Sequence, residues 1–455
     1  MIVSFSVSNF RSFAAEETLN LVASNRFPGN LQCHAVPIPG TDQQVLRAAV
    51  VYGANGAGKS NLFKALGYLR SMVLRPREKN SGTGREPFRF GKEPDQPSSF
   101  DLQFVVGQKL YRFGFKVDDH RITEEWLVRM DGRREKDLYE RITDENGKVR
   151  IEAKRLKAAG DKLSALVTVG GPQNQTFLAT IRATLDSSDY GDELTGVLGW
   201  FEKNLQLIKP DSAFIQLGTL LAHDPEFLQF SSEFLNASST GVDHLSVVKK
   251  ELSEDQLRSL LPESIVSGVM NSMQEDGITV VSLRDDKEIL IERTGENHYY
   301  QLTTQAAHKT LAGQIFPLDL VEESDGTRRL LHLIPALYRL RTGGGVFMID
   351  EIDRSMHPIL TKKFLEFFVK SCEGERRQII VTTHESNLLD LELLRRDEIW
   401  FAEKDKEGAT RLYSLAEFKV RKDLEIRKHY LQGRFGAVPF LSGIDQLLAE
   451  EEASA

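Results

Sequence analysis

Four places in this chain combine residue types and spacing that can do chemistry. Residues 53–60 read Gly53-Ala54-Asn55-Gly56-Ala57-Gly58-Lys59-Ser60, the pattern GxxxxGK[ST]. Glycines at that spacing let successive backbone N–H groups turn inward around phosphate oxygens. A helix beginning there adds partial positive charge. Lys59 would neutralise β- and γ-phosphates, and the Ser60 hydroxyl would hold Mg2+. Second, Val346-Phe347-Met348-Ile349 runs into Asp350 and Glu351. Two carboxylates make a costly strand end unless their charge finds a partner. A metal ion and a water nucleophile supply one, with Asp350 as metal ligand, directly or through water, and Glu351 polarising the attacking water. Third, His384 ends the apolar run 379–383 and can reach a γ-phosphate as a donor. Fourth, Glu323-Ser324-Asp325-Gly326-Thr327 precedes a stretch in which Leu330, Ile334 and Leu337 share a helical face. Ser324 or Asp325 can cap that helix, and a Ser-x-Gly turn feeding a helix is a second place able to hold phosphate. Pro335 inside it predicts a kink or an early break.

Positioning these groups requires a particular kind of sheet. Four short apolar runs, 48–53, 345–351, 378–384 and 397–404, end abruptly in glycine or polar residues. Runs apolar on both faces that alternate with helices predict an α/β fold with a mostly parallel sheet covered on both sides. In such sheets chemistry collects at the carboxyl ends of the strands, where Gly53, Asp350, Glu351 and His384 would sit. Between the first run and the others, residues 98–130 and 277–304 read as β-rich, the latter as two or three hairpin strands. The stretch from about 150 to 270 carries Leu, Ala, Glu, Lys and Ser at helical spacing and reads as a helical insertion or arm. The loop 78–87 is polar and glycine-containing. The expected division is an N-terminal lobe with a β subdomain over 1–145, a helical insertion over 146–275, a C-terminal lobe over 276–445 and a frayed tail over 446–455.

Composition narrows the class. At 455 residues the chain is long enough for two or three packing units, and 40% hydrophobic with 27% charged residues is an ordinary globular balance. Sixty-six acidic residues against 58 basic ones give a net charge of -8, which disfavours non-specific DNA binding over the whole surface. A local basic patch stays open at Lys419, Arg421, Lys422, Arg427, Lys428 and Arg434. Their interleaving with Asp423 and Glu425 fits an exposed helix face equally well. No apolar run approaches the ~18 residues that cross a bilayer. Val3, Phe5 and Val7 alternate with serines from the first residues, a strand rather than a charged leader. Cys33 and Cys372 make neither a disulfide framework nor a metal cage. Trp126, Trp200 and Trp400 read as core or interface anchors. The expectation is a soluble, cytoplasmic protein without a membrane partner.

The order of the four pieces resembles the ABC-type ATPase heads of the SMC, RecF and OLD group. "SNFRSF" (8–13) is similar to the N-terminal strand motif of those heads, and "DEIDRSMHP" (350–358) to their Walker B and D-loop, with Met356 where Leu is usual. "TTHESNLLD" (382–390) is similar to their switch-histidine segment. Residues 394–415 and 427–439 resemble a narrower branch, the AAA-type ATP-binding or ATP/GTP phosphatase proteins, including RloA-like proteins of restriction-linked and phage-defence loci. The likeness is close across 1–70 and 315–440 and moderate over 85–130.

The resemblance implies a P-loop NTPase head split into two lobes, with ATP and Mg2+ as cofactors. It places Lys59, Glu351 and His384 as catalytic groups and Ser60 and Asp350 on the metal. The nucleotide would contact residues 53–60, Asn61 and, in cis, Asn9, Arg11 and Ser12. Ser324, Gly326 and Thr327 would act in trans on the nucleotide of a second copy. The expected activity is ATP hydrolysis in a composite homodimer site, with higher assemblies allowed. The cycle would act as a conformational switch or sensor-scaffold for a separate effector, such as a nuclease encoded nearby, in anti-phage defence. For a Q-loop glutamine, Gln103, Gln108 and none all remain open. An SMC- or RecF-like DNA-repair ATPase is the alternative, and nucleic acid stays open as a partner. A transporter subunit fits poorly with the insertions between the P-loop and residue 324, and a non-hydrolysing scaffold fits poorly with Asp350-Glu351. Only 71 residues follow His384 (455 minus 384), which argues against a nuclease domain there. The loop reads phosphates rather than bases, so ATP and GTP are not distinguished.

Overall fold

The computed structural model describes residues 1–26, 32–78, 81–91, 95–132, 134–153, 156, 160–211, 217–261, 266, 277–282, 288–295, 298–342, 344–370, 376–419 and 425–438. Cys372, Arg421, Lys422 and the 446–455 tail lie outside them. The chain forms two compact units. One comprises Met1–Pro210, Gly343–Asp353 and Lys362–Ala455, the other Asp211–Thr342 and Arg354–Thr361.

The first unit is built on a mostly parallel sheet. Its strands are β1 (Ala48–Tyr52), β2 (Leu205–Ile208), β3 (Gly345–Ile349), β4 (Arg377–Thr383), β5 (Ile399–Lys404) and β6 (Thr410–Ser414). Their spatial order is β2-β3-β4-β1-β5-β6, and only the β5–β6 pair is antiparallel. The four apolar runs thus become β1, β3, β4 and β5. Every residue of β1 and β4 is buried, as expected of strands covered on both faces. Helix α1 (Lys59–Leu74) follows the 53–58 loop and buries Leu62, Phe63, Leu66, Leu69 and Val73. Its Tyr68 meets Phe10, Phe100 and Phe115 at ring distances of 5.3, 5.2 and 6.3 Å. These rings fix the helix, and hence the loop before it.

Phe100 and Phe115 belong to a seven-stranded antiparallel sheet. It runs in the order Val149–Glu152, Arg134–Thr143, Ile122–Asp131, Lys109–Val117, Ser98–Val106, Ile2–Ser8, Glu17–Asn20. Its alternation is clear in Ile2–Ser8, where Val3, Phe5 and Val7 are buried and Ser4, Ser6 and Ser8 are less so. Buried Gln378 of β4 joins the two sheets. Its side chain donates to the carbonyls of Ile2 and Leu46, both at 2.8 Å, and accepts from Ile2 N at 2.7 Å.

The second unit contains a five-stranded sheet. Val242–Leu252, His298–Lys309, Glu288–Thr294 and Gly277–Ser282 lie in that order, and Ile315–Asp319 also pairs with His298–Lys309. Helix α2 (Asp325–Thr342) packs on Pro225–Ala237 through Tyr338, whose ring lies 5.0 Å from Phe227 and whose hydroxyl donates to Asp224. Two expectations change here. The 146–275 stretch is not purely helical. It carries Val149–Glu152, β2 and Val242–Leu252 among its helices; the first two are four-residue edge strands, too short to leave a periodic signal. Pro335 does not break α2, which continues through it. Leu330, Leu331, Leu333, Ile334, Ala336 and Leu337 are all buried, and this packing holds the helix across the missing backbone donor.

Candidate nucleotide site

The sheet order decides which side chains meet. Because β3, β4 and β1 are neighbours and parallel, Asp350-Glu351, Thr382-Thr383-His384 and Gly53 emerge at one edge of the first unit. Gly56 and Gly58 have φ of 79° and 107°, the left-handed region that glycine enters without strain. Gly58 also leaves no room for a side chain, since a Cβ there would lie 2.1 Å from Thr410 Oγ1. Gly58 is the N-cap of α1 and supplies no side-chain acceptor to its first N–H groups. Ser60 stands half-buried in that first turn.

Lys59 is 5% exposed and folded back over its own loop. Its Nζ donates to the carbonyls of Gly53 at 2.8 Å and Ala54 at 3.2 Å and lies 3.4 Å from His384 Nδ1. Burial pulls its pKa down to about 8, while Glu351, Asp350 and Asp353 act to hold it up. Near neutral pH the ammonium therefore keeps its charge. His384 is pushed down by burial first and by the Lys59 charge second, so it is neutral at that pH. An ammonium can only donate, so Nδ1 is the acceptor and the ring proton sits on Nε2.

The carboxylates are held by hydroxyls of β4. Thr382 Oγ1 donates to Asp350 Oδ1 at 2.5 Å and accepts from Glu351 N at 2.8 Å. Thr383 Oγ1 donates to Asp353 Oδ1 at 2.7 Å. Asp350 is buried, and Glu351 has a φ of 49°, an uncommon conformation for a side chain of its size that turns the chain sharply at the strand end. Behind the loop, Asn61 Nδ2 donates to Ser12 Oγ at 2.8 Å, and Thr410 Oγ1 lies 2.8 Å from Ser12 Oγ and 2.9 Å from the Ala57 carbonyl. Arg11 pairs with Glu86, and its Nε makes no hydrogen bond. A cavity of ≈ 720 Å³ opens beside Gly53–Ala57, lined also by His384, Ser386, Lys404, Tyr430 and Val438.

The fourth sequence feature lies in the second unit. Ser324 caps α2: its Oγ accepts from Thr327 N at 3.1 Å and shares a 2.9 Å hydrogen bond with Thr327 Oγ1. Asp325 is the first helical residue. Gly326 must be glycine, because a Cβ there would lie 2.7 Å from the Ser355 carbonyl. Glu323, before the turn, bonds His308 Nε2 at 2.5 Å.

Sequence reasoning missed Thr382, Asp353 and Thr410. Thr382 and Asp353 stand inside the quoted "TTH" and "DEID" segments, and their spacing was the available signal. Thr410 had none, being a lone threonine in an antiparallel edge strand. Neither candidate Q-loop residue lines the cavity. Gln103 is in the antiparallel sheet opposite Arg112, and Gln108 accepts from Arg376. Lys419, Arg427, Lys428 and Arg434 are exposed, and Arg427 donates to Ser386 at 3.3 Å.

A strand, a GxxxxGKS loop and a helix within this parallel sheet define a P-loop NTPase fold. The family described as "AAA domain, putative AbiEii toxin, Type IV TA system" matches residues 48–390, and the chain belongs to it. No curated protein matches the chain. Among solved structures it is similar to an SMC head bound to the C-winged helix domain of ScpA, at 14% identity, 91% of this chain, 97% of that one and a TM-score of 0.40. It is also similar to the SMC head domain from Thermotoga maritima, at 12% identity, 91% and 98% coverage and a TM-score of 0.36. Among the described residues no helix is long and apolar enough to cross a membrane.

Proposed function

We propose that the chain is a Mg2+-dependent ATPase whose catalytic groups are those gathered around Lys59. The observation that carries this reading is the Lys59 ammonium, buried, charged and in contact with His384, at the edge where Asp350 and Glu351 also emerge. Ser60 and Asp350 are hard oxygen donors suited to Mg2+. Substrate phosphates and water would complete the shell of such an ion. Bound there, Mg2+ would neutralise charge on the β- and γ-phosphates.

The chain's own groups do the rest. Loop N–H groups and the open N-terminus of α1 receive phosphate oxygens. Lys59 exchanges its carbonyl partners for the β/γ oxygens. Glu351, held by Thr382 through its amide, orients and polarises water, and neutral His384 donates from Nε2 to the γ-phosphate. Ser324, Gly326 and Thr327 of a second copy complete the site, so that ATP drives pairing and hydrolysis releases it. The switch acts on a separate effector in prokaryotic anti-phage defence. The family's description, which names a toxin of type IV TA systems, supports that setting.

Replacing Glu351 by Gln tests this. E351Q is expected to keep ATP affinity, lose phosphate release by about 10²-fold or more, and accumulate as an ATP-bound dimer in light scattering. Hydrolysis at the parent rate would remove Glu351 from the mechanism, and an ATP-loaded variant that stays monomeric would remove the composite site.

A further inference from the structure

We propose that Phe90 is the stacking platform for the base of the bound nucleoside triphosphate. The claim rests on the nucleotide reading above and adds to it the direction in which the ligand lies. That direction follows from the sheet. The groups suited to the γ-phosphate, His384 and the Asp350-Glu351 pair, end β4 and β3, on one side of β1. The cavity beside the loop extends to the other side of β1, where Ala402, Glu403 and Lys404 of β5 line it, and this is the side on which the nucleoside is placed.

That side carries a built wall. The β5–β6 turn is stiffened by Asp405, whose Oδ1 accepts from Glu407 N at 3.0 Å and Ala409 N at 2.9 Å. Thr410, next in the chain, is tied to the phosphate loop through Ala57 and to Ser12, whose carbonyl accepts from Thr410 N at 2.7 Å. Phe90 lies against this turn, since a Cβ built on Gly408 would be 3.5 Å from its ring. Its other support is Phe88, buried and edge-on at 5.7 Å and 83°. Phe88 N in turn donates to Asn9 Oδ1 at 3.1 Å, in the same turn as Arg11 and Ser12.

Phe90 is nevertheless 79% exposed, an expensive position for a phenyl ring on a backed surface. Tyr430 and Phe435 are rings of the same region, but both are buried and stacked on Phe401 at 5.7 and 6.0 Å. Tyr430 lines the cavity beside the loop but is a buried ring held on Phe401, whereas Phe90, outside that lining, presents an open face. An aromatic face reads no base edge, so stacking on it favours purines for their area and separates ATP from GTP weakly.

The test separates nucleoside from phosphate. Calorimetric titrations of the full chain, F90A and F90W would use ATP and inorganic tripolyphosphate, with K59A as the reference for the phosphate site. F90A is expected to weaken ATP about tenfold and leave tripolyphosphate within about twofold, with F90W restoring ATP affinity. Equal losses for both ligands, or no loss for either, would overturn the platform. If K59A leaves both ligands bound as in the parent chain, the phosphate reading fails instead, whatever F90A does. The ring is exposed, so F90A removes little core packing and should fold.

Discussion

Two turns in this molecule place a glycine at the start of a helix, and they are built in opposite ways. At 53–60 the loop passes through Gly56 and Gly58 in left-handed conformations, and no side chain takes the first N–H groups of α1. At 324–327 the Ser324 hydroxyl already holds Thr327 N and Thr327 Oγ1. One turn has unclaimed donors and a cation parked on two carbonyls that it can leave. The other has satisfied itself. Phosphate affinity depends on donors without a better partner, so two motifs that look alike in sequence have unequal standing. The first should hold a triphosphate alone. The second should contribute only where something repays the opening of its cap.

The strongest way to break this contrast is K59A. Loss of the buried ammonium is expected to cost on the order of 10²–10³ in hydrolysis rate and to abolish measurable triphosphate binding, read by phosphate release and calorimetry. An unimpaired K59A would mean that the open turn is not the stronger site. A milder perturbation is pH. Burial lowers the Lys59 pKa to about 8, so the free protein carries the charge below that value and loses it above. Binding an anion then requires proton uptake, and Kd should rise about tenfold per pH unit above 8. A Kd that stays flat from pH 7 to pH 9.5 would count against Lys59 as the phosphate partner. The smallest effect belongs to the closed turn. S324A removes a cap worth about 1 kcal/mol, seen as a lower midpoint in denaturant, and should leave ATP binding by dilute, unpaired protein unchanged. A loss of single-copy affinity comparable to that of K59A would erase the distinction.

What could be read from the sequence follows the same logic. The GxxxxGKS loop and the strands on either side of it were legible because each signal has a short period. Apolar runs of five to seven residues end at a polar group, and the glycines stand at fixed offsets. A cap at Ser324 or Asp325, which the structure gives to Ser324, and Leu330, Ile334 and Leu337 as a buried face were legible for that reason too. Thr382 and Thr410 were not. A hydroxyl that orients a carboxylate or backs a loop is one residue whose partner comes from another strand, and no local pattern marks it. Of the kink or early break expected at Pro335, the break does not occur, because propensity describes an isolated helix whereas α2 is held by a buried stripe on both sides of the proline. Two of the strands within 146–275 have partners far away in the chain, which hid them: β2 pairs with β3, and Val242–Leu252 with His298–Lys309.

The position of β1 also bears on how the protein is made. That strand is synthesised well before its two neighbours, β4 and β5, at residues 377–404. Until those emerge, a fully apolar segment and the glycine loop after it have no sheet to join. Such long-range pairing is slow and exposes sticky surface while it waits. The sheet edge that carries the nucleotide site therefore cannot close until β4 and β5 have been made, and a chain cut before them would carry the loop's letters without the walls that give them meaning.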